Sequence, residues 1–302
     1  MSNESTVDRP LFWNAVGTVV DGAATAKEVL QQAGLDWTVS KHRIRVAPSG
    51  KVVPGRHAVV RDDTGDVFGI VSDGYRLIQN AEALDVLDSI VDSGDAKYEC
   101  GWAERGGAKV GVTARIPEGV SVAGGDEHAF YLLLTMQHDG RGGLGLAVAG
   151  IRLRCTNMVN MAVRGARARF SIPHVGDPTR KIAQAREALG LTFNYIEAWK
   201  ELADDLASVE LTGAKLDRFL KDLTADRGER AGESDREGIR RLFESSPTLE
   251  GIPMNGYRLQ QAVGEWYDWG RQVRTAEARL IGTTGTGLAV RQRERSLALL
   301  AN

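Results

Sequence analysis

Apolar residues recur in two rhythms along this chain, and the change from one to the other falls just past its midpoint. In the first half, short runs of Val, Ile and aromatic residues keep the period of strands. They are Arg43 to Ala47, His57 to Asp62, Val67 to Val71, Lys97 to Trp102, Lys109 to Ile116 and Ala129 to Met136, most of them bounded by Gly, Pro or Asp clusters. Two helices interrupt them. From Asp21 to Gly34, the residues Ala24, Ala26, Val29 and Leu30 recur at helical spacing and Gly34 supplies the stop. From Asn80 to Gly94, Asn80 is the expected N-cap and Ala81, Leu84, Leu87 and Val91 make the apolar face.

The clearest long-range pairing is a hairpin joining the run from Phe130 to Leu134 to the run from Leu144 to Val148. The turn formers His138 to Gly143 connect them. The returning strand continues into Ile151-Arg152-Leu153-Arg154, whose alternation predicts one core face and one positive face. Thr156 or Asn157 then caps a short helix through Met158, Met161 and Val163.

From Thr179 the period becomes helical, with a stripe through Ile182, Ala185, Leu189, Phe193, Ile196 and Trp199. Further helices are expected at Gly213 to Leu223, Glu237 to Glu244, Tyr257 to Arg279 and Leu288 to Ala301. The charged stretch Thr224 to Asp235 reads as a solvated loop or linker. The fold class is therefore α+β, with a curved, mainly antiparallel sheet and a long hairpin in the N-terminal half and a helical C-terminal half. Residues 1–175 are expected to form the α+β domain, and 176–302 a helical region packed on it or extending from it.

Charge sharpens this picture. The net charge of −2 conceals ten acids against three bases from Arg61 to Glu99, and eight bases against two acids from Ile151 to Gly190. The two cysteines, Cys100 and Cys155, are too few for a disulfide framework, and no Cys/His cluster has zinc-site spacing. The first ten residues carry charges and no apolar core of a signal peptide, and no stretch reaches the length of a membrane span. A cytoplasmic protein without metal or other cofactor is the expectation.

Three separated motifs carry a family resemblance: Gly34-Leu35-Asp36-Trp37, the run Val71-Ser72-Asp73-Gly74-Tyr75-Arg76-Leu77-Ile78-Gln79-Asn80, and His138-Asp139-Gly140 followed by Ile151-Arg152-Leu153-Arg154-Cys155-Thr156-Asn157. In their order they resemble the phage/plasmid-like proteins built on domain of unknown function 932. The resemblance implies a product of phages or mobile elements, with no established biochemistry. At the level of topology alone, a curved sheet with a long hairpin followed by helices is similar to single-strand annealing recombinases of the eukaryotic type. Those are strongly basic, and this chain is slightly acidic.

Arginine offers fixed charge and a fork of donors suited to phosphate oxygens. The candidate nucleic-acid contacts are Arg152, Arg154, Arg164, Arg167, Arg169, Arg180 and Lys181. The opposing reading is a solvated face that balances the acidic window. Phe170 and Tyr75 are the aromatic residues nearest to cations, whereas Trp266, Tyr267 and Trp269 read as helix core.

No catalytic set emerges. His138-Asp139 reads as hairpin geometry, Cys155 as a small buried residue, and Tyr75-Arg76 with Gln79-Asn80 as polar anchoring that pairs Arg76 with nearby acids. Gly282 to Gly287 lacks the Gly-Lys-Ser/Thr end of a P-loop and reads as an interhelical connection or, with its surrounding arginines, as a turn that holds a phosphate.

The expectation is a non-catalytic nucleic-acid-binding protein, for single-stranded DNA, acting in phage replication or recombination as a homo-oligomer. The competing expectation is a protein-interaction or assembly factor whose charged faces serve subunit or partner contact.

Overall fold

The computed structural model describes residues 10–23, 25–117, 119–158, 169–171, 178–284 and 287–301. Capping and glycine chemistry open the first helix, α1 (Ala26–Gln32). The Thr25 side chain accepts from the Glu28 amide, Glu28 returns a bond to Thr25, and Gly34 at φ 65° turns the chain away. Helix α2 (Asn80–Asp92) is capped one residue earlier than the sequence suggests. Gln79 holds the N-cap position, while the buried Asn80 side chain donates to the Leu35 carbonyl at 2.8 Å.

The strands divide between two sheets. A main antiparallel sheet takes β1 (Thr18–Val19), β5 (Lys97–Glu104), β6 (Lys109–Arg115), β8 (Asp126–Gln137), β9 (Gly145–Arg152) and β10 (Arg169–Ser171) in that spatial order, with β7 (Val120–Val122) beside β8, and does not close into a barrel. The long hairpin is its centre: β8 and β9 pair from His128↔Arg152 to Thr135↔Gly145. The expected strands near residues 43, 57 and 67 instead form a separate three-stranded sheet of β2 (Val39–Arg45), β3 (Val52–Arg61) and β4 (Val67–Ser72). It seats on the tip of the long hairpin. Gly69 lies so close that a Cβ there would fall 2.3 Å from the Asp139 carbonyl oxygen.

Both faces of the main sheet are covered. Val29, Ala33 and Leu35 lie over Gly101 on one face, and on the other the Cys100 thiol meets the Trp13 carbonyl at 3.6 Å. This explains why β8 is buried almost continuously and does not alternate.

The helical half contains α3 (Pro178–Ala207), α4 (Gly213–Leu223), α5 (Glu229–Ser245), α6 (Gly256–Glu265), α7 (Ala276–Thr284) and α8 (Leu288–Leu300). Two expectations are corrected here. The charged stretch before residue 235 is partly helix, because buried Asp235 accepts from Trp266 Nε1, Tyr267 Oη and Arg227 Nε and so ties the first turns of α5 down. The single helix expected from Tyr257 to Arg279 breaks at a π-helical turn, Trp266–Gly270, where Trp266 packs against the Gly270 backbone. One hydrophobic cluster spans both halves of the chain. The stacking of Phe12 on Trp269, with centroids 4.6 Å apart, is one of its links.

Candidate nucleic-acid interface

Burial removes the first of the expected phosphate contacts. Strand β9 ends at Arg152, whose side chain is fully buried. Its Nε donates to Asp126 Oδ2 at 2.5 Å, Nη2 to the Thr248 carbonyl at 2.7 Å and Nη1 to Cys155 Sγ at 3.3 Å. Tyr257 Oη donates to the same Asp126 oxygen at 2.5 Å. Arg152 is therefore an internal fastener between the hairpin and the helical half, and the expected positive face of β9 is corrected. Burial also pushes the Cys155 thiol up to about 11, so the thiolate that nucleophilic chemistry needs is scarce.

The other candidates sit differently. Arg154 is exposed, with Nη1 donating to the Glu250 carbonyl at 2.7 Å. Arg169 lies on β10, which pairs with β9, and Arg180 and Lys181 lie in the first turns of α3. Arg164 and Arg167 fall outside the described residues, as do Met161 and Val163 of the expected short helix. Met158 forms a β-bridge to Ile151 and the Thr156 hydroxyl donates to the Cys155 carbonyl at 2.7 Å; the rest of the helix expected to start at Thr156 or Asn157 lies outside the described residues.

Four of the six arginines around Gly282 to Gly287 have partners elsewhere in the fold. Arg293 pairs with buried Asp268 and donates to the Thr283 carbonyl at 2.7 Å; Arg279 donates to the Asp268 carbonyl; Arg271 faces Asp235 and Arg295 faces Asp226. A phosphate-holding turn there has few cations left.

The remaining motif residues anchor the fold. Gln79 mimics a strand neighbour, accepting from the Val39 amide at 3.1 Å and donating to the Val39 carbonyl at 2.9 Å. His138 is buried between Trp37 and Phe68 with its Nε2 3.0 Å from Asn80 Oδ1, and Arg76 lies 3.8 Å from Glu82. Among the described residues no group of His, Cys, Asp and Glu has the arrangement of a metal site.

Among the described residues, the strongest unneutralised charge lies between Val39 and Arg61, outside the acidic and arginine-dense segments. From Val39 to Arg61 there are six bases, Lys41, Arg43, Arg45, Lys51, Arg56 and Arg61, and no acid. The register explains its shape. Strand β4 ends at Ser72 opposite Arg56, so the small sheet narrows to a two-stranded ribbon from Ile44 to Gly55, which carries Arg45 and Lys51, with Arg43 and Arg56 on the last three-stranded rungs at its base. Arg43, Arg45, Lys51 and Arg56, on this ribbon and at its base, are exposed, and among the described residues none has a carboxylate within ion-pair distance. Arg45 reaches only the Gly50 carbonyl, at 3.0 Å. At the base of the ribbon the Asp73 carboxylate faces Gly55 and lies 3.0 Å from His57 Nδ1, and its backbone carbonyl accepts from Lys41 Nζ at 2.8 Å; lower down, Arg61 pairs with Asp63 at 2.6 Å while lying over the Trp37 ring. A charge count restricted to this window finds the ribbon from sequence; windows placed on the more acidic and more arginine-dense segments pass it by.

An α+β protein with a doubly covered antiparallel sheet, a helical half fastened to it and a cationic ribbon projecting from one end is the class that fold and site define. The chain belongs to the family of domain of unknown function 932, whose model matches residues 67–284. That match starts at the first residue of β4, so β2 and β3 lie outside it. No curated protein and no solved structure matches the chain. No helix among the described residues is long and apolar enough to cross a membrane.

Proposed function

We propose that the protein binds nucleic acid without chemical catalysis, through the ribbon and its base, Arg43 to Arg56, together with Arg154, Arg169, Arg180, Lys181 and the neighbouring Arg164 and Arg167. One observation carries the reading: four exposed cations share a ribbon and its base in a segment that contains no acid, and among the described residues no carboxylate lies within ion-pair distance of them. A surface charge that merely balances a fold is ordinarily interleaved with acids or paired with them. A row of free cations on a projecting element attracts a polyanion and releases its counterions on contact. The phage or mobile-element setting implied by the sequence motifs accords with a role in replication or recombination.

A second reading, subunit or partner contact, has its own support. Ile70 and Val67 of β4, in the three-stranded part of the small sheet, are each 63% exposed. The two readings separate in one titration of the full chain with fluorescently labelled oligonucleotides, followed by anisotropy. Nucleic-acid binding predicts saturable binding at low salt that weakens about tenfold or more when the salt is raised severalfold. Absence of binding at low salt, with a size that grows with protein concentration, favours the assembly reading.

A further inference from the structure

We infer that this ribbon, with Arg43 and Arg56 at its base, is shaped for the major groove of duplex DNA rather than for a single strand. The inference rests on the nucleic-acid reading above and specifies its ligand.

Composition argues against single strands. Proteins that hold them combine cations with aromatic rings on which bases stack. From Val39 to Arg61 there is no Phe, Tyr or Trp. The aromatic residues nearest the small sheet are turned inward: Trp37 is 7% exposed, and Phe68 packs against Trp37 and His138. The two imidazoles on this element, His42 and His57, lie below the ribbon and are held by Ser40 and Asp73, so a splayed base finds no Phe, Tyr or Trp ring along the ribbon itself.

Shape argues for a duplex. The major groove of B-form DNA admits a two-stranded β-ribbon, whereas the deep, narrow major groove of an RNA duplex excludes side chains. The ribbon here is two strands wide beyond the Arg56 rung, and the third strand begins only at its base. Its chemistry matches the groove as well. Arg43, Arg45, Lys51 and Arg56 supply donors for phosphate oxygens and guanine edges, and Val46 and Val52, 49% and 41% exposed, offer apolar contact of the kind thymine methyls accept. The acids Asp62, Asp63 and Asp66 lie in the turn between β3 and β4, at the other end of the small sheet, while Asp73 lies at the ribbon's base with its carboxylate 3.0 Å from His57 Nδ1, so the tip that carries Arg45 and Lys51 approaches first.

The test compares one sequence as duplex DNA, single-stranded DNA and duplex RNA, each titrated with the full chain over a series of salt concentrations. The wild type is compared with the quadruple variant R43A/R45A/K51A/R56A. Duplex DNA is expected to bind at least about tenfold more tightly than either alternative. The variant is expected to lose that preference, with a salt slope shallower by about three to four units, as four lost phosphate contacts require. Circular dichroism and the melting temperature of the variant report whether it is folded, and the charge-conserving variant R43K/R45K/K51R/R56K should keep most of the duplex affinity.

A preference for single strands or duplex RNA overturns the inference and leaves the nucleic-acid reading standing. So does duplex binding that survives in the folded quadruple variant. Failure of all three forms to bind wild-type protein overturns both.

Discussion

Arg152 shows how one side chain can invert a reading of charge. In the run Ile151-Arg152-Leu153-Arg154, strand alternation puts both arginines on one face. The structure separates them because β9 ends at Arg152 and the chain turns through Thr156 at φ 54°, so Arg154 leaves the sheet for solvent while Arg152 stays under the helical half. A buried guanidinium must find a carboxylate, and Asp126 supplies it from across the hairpin. Arg152→Ala strands that carboxylate in the interior, at an expected cost of about 3–5 kcal/mol. Denaturant unfolding should show this loss, while nucleic-acid affinity measured on the folded variant stays at the wild-type value. Arg154 was legible from sequence as an exposed cation. Arg152 was not, because its partners Asp126 and Thr248 are remote in the chain and periodicity carries no long-range pairing.

At the scale of elements, the strands of the first half were legible because each carries its own β-forming residues and bounding turns, but their division into two sheets was not. That division depends on contact between the small sheet and the tip of the β8–β9 hairpin, which no local signal encodes. Gly69 is where the contact is closest: its missing side chain lets β4 lie against the Asp139 backbone. Gly69→Ala should force the two apart and cost roughly 1–3 kcal/mol by overpacking. Hydrogen exchange should show the loss concentrated in β2 to β4, with the centre of β8 and β9 still protected; uniform protection across the small sheet would mean that it does not depend on this seat. The helical half was legible where burial follows a local stripe, as in α4, which begins and ends at the expected residues. It was misread where distant partners decide, as at buried Asp235, which fixes the early start of α5.

For the molecule as a whole, two buried imidazoles stand near opposite ends of β8 and report on the two bodies fastened to it. His128 is fully buried, with Nδ1 accepting from Trp199 Nε1 of α3 at 3.1 Å, so the neutral ring carries its proton on Nε2, toward Tyr257 of α6. His138, just past the end of β8, faces Asn80 of α2 and Phe68 of the small sheet. Burial pushes both rings down to about 4, well below the ordinary value near 6.5, because the charged form has no water around it. Unfolding returns each ring to its ordinary affinity for protons, so the unfolded chain gains protons that the folded one refuses. The stabilisation is complete above about pH 6.5, declines as pH falls toward 4, and amounts to about 3 kcal/mol for each ring. Since one hydrophobic cluster joins the sheets to the helices, both rings should titrate in the same event. Denaturant unfolding followed by tryptophan fluorescence and by far-ultraviolet circular dichroism should give coincident transitions at each pH. Between pH 6 and pH 5 each ring should add a slope of nearly one proton to the fall in stability, partly offset by Asp268, which burial pushes up to about 6 so that the folded chain takes up a proton there; His128→Gln or His138→Gln should each remove about one proton from the slope. Separate transitions by the two probes would show the helical half melting on its own, and a stability flat across that range would place both imidazoles in contact with solvent.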